Sequence, residues 1–142
     1  MIAIQQSKDF DVEDVLRRSP VAETSNAKEI MNECLGRSTQ VYYGSVDGSV
    51  ACVWGIIQPT LLSHSVYLWL LTTDIIVEHK FLFIRYSQIY VEELLEVYDE
   101  VIGDVMPDNE PAKRWLKWLG AEIMPPVGGR MPFVIRKKCL YA

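Results

Sequence analysis

Between Asn109 and Gly120 the chain carries a complete helix start and a complete helix stop, and this pairing constrains the fold more than any other feature. Asn109 can cap a helix, Pro111 is tolerated in its first turn because no amide donor is needed there, and Gly120 supplies a left-handed stop. Ala112, Trp115, Leu116 and Leu119 recur on one side, so this helix must bury a stripe. Trp118 falls off that stripe. It is expected at the surface as an interaction residue, since an exposed tryptophan marks contact with another protein chain.

The segments before this helix read as alternating strands and helices. Ile2 to Gln5 predicts a short strand, and Asp9 or Asp11 caps a helix that runs to about Arg17 and ends at Ser19-Pro20. A second helix is predicted from Ser25 or Asn26 to Leu35, with Gly36 in the stop position. Gln40 to Val46 and Ser49 to Ile57 are β-branched and aromatic, and they flank Asp47-Gly48, the signal of a tight hairpin. Val66 to Thr72 is a continuous apolar run, as in a central strand covered on both faces.

From His79 to Tyr98 the pattern becomes helical, with Phe83, Tyr86, Tyr90, Leu94 and Val97 on one side and Glu92, Glu93 and Glu96 on the other. A strand over Glu100 to Met106 and a loop over Pro107 to Glu110 precede a helix at Ala112 to Leu119. Closing strands follow at Ala121 to Met124 and Phe133 to Arg136, joined by a loop holding Pro125-Pro126 and Gly128-Gly129.

With 142 residues the chain is expected to form one α/β (α+β) domain over 1–142. Its apolar runs at Val50 to Ile57 and Val66 to Leu71 are far shorter than the roughly 20 residues a spanning helix needs. The first residues turn acidic and lack the features of a signal peptide, so a cytoplasmic location is expected. Cys34, Cys52 and Cys139 are widely spaced and odd in number, which leaves neither a disulfide framework nor a metal site readable. A net charge of −5 argues against nucleic-acid binding, and Arg136, Lys137 and Lys138 read as a solvated strand end. His64 lies between two serines, but no nucleophile elbow accompanies it, and it reads as a loop histidine.

The segment NEPAKRWLKWLGA from Asn109 to Ala121 resembles the closing motif of the GNAT (N-acetyltransferase) superfamily, and the element order from Gln40 onward is similar to that family's. The resemblance implies a GNAT-like mixed central sheet with N-terminal helices, a long helix after the central strand and a capped helix before the last two strands. A closer resemblance is to small GNAT-like proteins of short-tailed phages, some of them internal virion or assembly proteins. It rests on LLTTD from Leu70 to Asp74, the long charged helix and the Asn-to-Leu-Gly helix.

A GNAT enzyme would bind acetyl-CoA along the central strand and at the start of the long helix. The resemblance therefore points to Leu71, Thr72, Thr73, His79, Lys80 and Asn109 as cofactor-binding candidates. Two of the family's elements are missing. The stretch DIIVEHKF from Asp74 to Phe81 holds no glycine, although a phosphate cradled by successive amides needs small residues, and Glu78 adds a repelling carboxylate. Leu116 stands where the family commonly places the tyrosine that protonates the departing thiolate.

As general bases Glu100 and Asp104 are the candidates near strand ends, with Asp99 and His64 beside them; no motif singles one out. The expectation is a GNAT-fold protein without cofactor that has lost acetyl-CoA chemistry and acts as an interaction or virion-assembly protein, phage-encoded, with a phage or host protein as partner. The alternative is a divergent acetyl-CoA-dependent N-acetyltransferase.

Overall fold

The computed structural model describes residues 2–19, 27–60 and 62–137. Its elements run β1 (Ile2–Gln6), α1 (Val12–Arg18), α2 (Ala27–Arg37), β2 (Gln40–Val46), β3 (Ser49–Ile57), β4 (Ser65–Thr72), a 3-10 helix (Asp74–His79), α3 (Lys80–Val97), β5 (Glu100–Val105), α4 (Glu110–Trp118), β6 (Glu122–Ile123) and β7 (Met131–Arg136). The strands form a seven-stranded mixed sheet in the order β1-β2-β3-β4-β5-β7-β6, with β4 in the middle. The chain divides into two compact units, Met1–Ile57 with Leu68–Phe83, and Gln58–Tyr67 with Ile84–Ala142. Among the described residues no helix is long and apolar enough to cross a membrane.

In the first unit the turn governs the sheet. Asp47 and Gly48 have φ of 50° and 85°, the left-handed pair of a two-residue hairpin whose twist matches its strands. β2 and β3 accordingly pair antiparallel from Gln40↔Ile56 to Val46↔Ser49, with a bulge between Gly44 and Ser45, and β1 pairs with β2. Asp11 caps α1 by accepting the Asp14 amide at 3.1 Å. Val15 of α1 and Met31 of α2 are buried, as are Val41, Val53 and Ile56 of the hairpin.

Gly36 does not stop α2, which continues to Arg37. Ser38 closes the helix instead, because its amide (3.0 Å) and its hydroxyl (2.6 Å) both donate to the Cys34 carbonyl. With that carbonyl satisfied, no left-handed residue is required. The start predicted at Ser25 or Asn26, Pro20, Lys138 and Cys139 lie outside the described residues.

In the second unit Ser65, Val66 and Tyr67 of β4 pair in parallel with Glu100, Val101 and Ile102 of β5. β5 pairs antiparallel with β7 along its whole length, and β6 pairs with β7. Along β5 the side chains alternate: Val101 and Val105 are buried, while Glu100, Ile102 and Asp104 share the other, more open face. The loop between the closing strands turns tightly at Gly128-Gly129, with φ of 61° and 83° and a bridge between Val127 and Arg130.

The long helix occurs where it is predicted, to within a residue at each end. A 3-10 helix occupies Asp74–His79 and α3 proper begins at Lys80. The buried positions are Val91 and Leu94, whereas Tyr86 is exposed and Val97 is 76% exposed. Leu94 is buried as expected and Phe83 and Tyr90 are half-buried, but Val91 joins the inward face in place of Tyr86 and Val97. Tyr86 and Val97 lie beside the acidic face, and helical periodicity alone did not separate two overlapping sets of apolar positions.

Candidate functional site

The junction between β4 and α3, where the family resemblance implies a pyrophosphate, is tied to the sheet through Thr73. This threonine is 1% exposed. Its amide donates to Ala51 O (2.9 Å) and its hydroxyl lies 2.8 Å from Val50 O and 3.0 Å from Ala51 O. The Val50 carbonyl also accepts from the Arg18 guanidinium at 3.1 Å. Arg18 in turn pairs with Asp14 at 2.9 Å and approaches Asp74 at 3.6 Å. Arg18 was not anticipated; only its position at the end of a basic last turn could have drawn attention to it.

Beyond Thr73 the chain enters the 3-10 helix directly, and the Ile76 amide already donates to Thr73 O at 3.2 Å. The residues here do not fit a pyrophosphate cradled by backbone amides. Ile75, Ile76 and Val77 occupy the first positions of the helical stretch, and Asp74 and Glu78 place carboxylates there. Negative charge at the positive end of a helix stabilises the protein but competes with a bound anion. Leu71 and Thr72 are half-buried at the end of β4, His79 is half-buried, and Lys80 is exposed at the start of α3.

α4 explains the two positions on which the family resemblance turned. Asn109 accepts the Ala112 amide at 3.2 Å, so its side-chain oxygen is engaged as a cap. At the other end Gly120 has φ of 92°, its amide donates to Lys117 O, and the Ala121 amide donates to Leu116 O, which is the paired-bond arrangement of a glycine-terminated helix. Leu116 is 2% exposed and belongs to the core. Lys113, 2.8 Å from Glu110, holds that carboxyl below its usual range through a hydrogen bond and its charge. The Trp115 indole donates to Ser87 Oγ at 2.9 Å, whereas Trp118 is 55% exposed.

The carboxylates predicted as bases come together on the open face of the second unit. Glu100 and Asp104 flank Ile102 on one side of β5 and line a hollow of about 300 Å³. Hydroxyls from β4 hold both: Ser65 Oγ donates to Glu100 at 2.7 Å and Tyr67 Oη donates to Asp104 at 3.0 Å. Arg136 bonds Glu122 at 2.8 Å and lies 3.9 Å from Glu100.

Ser65 and Tyr67 escaped the sequence reading because the parallel register with β5 is what brings them there; their spacing of two was the only hint. His64 and Asp99 lie elsewhere, 3.6 Å from each other and largely exposed. Cys52 is buried, and burial pushes its thiol up to about 11. Among the described residues no group of acids, histidines and cysteines could hold a metal ion.

No protein-family model matches the sequence, and no curated protein matches it. Solved structures do match in fold. An acetyltransferase from Bacillus subtilis, solved in complex with CoA, superposes with a TM-score of 0.71 at 11% identity, over 97% of this chain and 100% of that one. An IAA acetyltransferase from Bacillus cereus gives 0.72 at 10% identity, over 96% and 100%. At these identities the likeness is one of fold: the chain shares the architecture of these acetyltransferases.

Proposed function

We propose that this chain uses the acetyltransferase fold as a binding scaffold and works as an interaction or virion-assembly protein, phage-encoded, without transferring acetyl groups. The observation that carries this reading is the β4-to-α3 junction. Thr73 is committed to the carbonyls of β3, a helical stretch without glycine follows at once, and two carboxylates stand where phosphates would approach. Leu116 adds to it, since a buried leucine has no proton to give a departing thiolate. The phage assignment rests on the sequence resemblance through LLTTD and the Asn109 helix, and the exposed indole of Trp118 supports a protein partner.

A second reading, a divergent N-acetyltransferase, is favoured by the placement of Glu100 and Asp104 in one hollow on a fold that a neighbour uses in complex with CoA. Isothermal titration of the purified chain with acetyl-CoA separates the two. No binding at micromolar concentration and no acetylated product from a panel of amines is the expected result. Micromolar binding with product formation gives the second reading the case.

A further inference from the structure

The hollow on the open face of the second unit combines an apolar floor with unbalanced acidic walls. Its floor is made by Ile102, Pro132, Val134 and Met124. The register explains the floor, since Ile102 lies opposite Val134 and Asp104 opposite Pro132 on antiparallel strands. Of the carboxylates on this face, Glu100 and Glu122 share the single guanidinium of Arg136. Asp104 accepts a hydrogen bond from Tyr67 and has no cationic partner among the described residues. The face thus carries an excess of negative charge beside an apolar surface.

We infer that this hollow receives a lysine or arginine side chain presented by a partner protein, its aliphatic stem on the Ile102–Val134 floor and its cationic end at Asp104. It rests on the binding-scaffold reading above in taking a protein as the bearer. An anion is disfavoured by the carboxylates, and a purely apolar guest leaves Asp104 without a counter-charge. Long basic side chains meet both demands, because their stems cover apolar surface while the head stays with an acid. A hollow of about 300 Å³ lies at the small end for ligand sites, suited to one side chain. Tyr67 and Ser65 hold the two carboxylates in place from the neighbouring strand, which lowers the ordering cost of the contact.

The test is a methyl NMR titration of the full chain, reading Ile102 and Met124, with the methylamides of Nα-acetyl-lysine, Nα-acetyl-arginine and Nα-acetyl-norleucine. Both cations are expected to shift these methyls, norleucine is not, and Asp104→Asn weakens lysine about threefold, as loss of an exposed ion pair implies. Glu100→Gln serves as the second variant and weakens it less. Equal binding of norleucine, or lysine binding unchanged in both variants, overturns the inference. Adding acetyl-CoA distinguishes the two readings. Nε-acetylated product by mass spectrometry refutes the scaffold proposal while leaving the ligand class of the hollow intact, and absence of lysine binding refutes the hollow alone.

Discussion

The indole of Trp69 lies directly over Gly55: a β-carbon on that glycine would stand 2.6 Å from the ring. The ring is held there by its own nitrogen, which donates to Ser38 Oγ at 2.7 Å. Gly55→Ala is therefore expected to destabilise the chain by about 1–3 kcal/mol, as overpacking does. Chemical denaturation checks it, and Ser38→Ala should loosen the same indole without the clash.

Leu116 gives a prediction that bears on stability and chemistry together. Leu116→Ala should cost about 2–5 kcal/mol, because a 2% exposed side chain leaves a cavity. Leu116→Tyr, which installs the hydroxyl that the sequence resemblance implies at this position, should also destabilise, because a hydroxyl without a partner enters the core. It should gain no acetyl transfer, measured by release of free CoA thiol.

The ends of α4 can be tested separately. Asn109→Ala removes the bond to the Ala112 amide and should cost about 1 kcal/mol. Gly120→Ala puts a β-carbon at φ of 92° and should cost about as much again. The double variant should be close to additive in denaturant midpoints, since the two caps share no partner.

Cys52 predicts a change of stability with pH. Its thiol titrates near 11 in the folded chain against an ordinary 9.0, with burial as the cause. Between those values the folded state keeps a proton that the unfolded state has lost, so stability falls as pH rises. The contribution is complete below pH 9, and on the order of 2 kcal/mol is lost by the time pH passes the folded value. Unfolding midpoints measured from pH 8 to 11 should show this slope, and Cys52→Ala should reduce it.

The two tryptophans of α4 should behave oppositely. Trp118→Ala, at an exposed position, is expected to stay within about 0.5 kcal/mol of the parent. Trp115→Ala loses both packing and the bond to Ser87, and should cost at least about 2 kcal/mol. Thermal unfolding followed by circular dichroism distinguishes them.

What could be read from the residues alone was whatever short-range physics decides. The hairpin at Asp47-Gly48 and the helix between Asn109 and Gly120 depend on turn geometry and caps that neighbouring residues supply, and both occur as expected. The missing glycines after β4 were equally plain, because they are a property of composition. Tertiary structure decided the rest. Ser38 rather than Gly36 ends α2, and its hydroxyl also accepts the Trp69 indole from a strand far along the chain. Val91 rather than Tyr86 and Val97 turns inward beside Leu94 because packing chooses among several apolar stripes that periodicity leaves open. Glu100 and Asp104 were named as separate candidates, but their union with Ser65 and Tyr67 arises from strand register, a contact between residues far apart in the chain that no local pattern encodes.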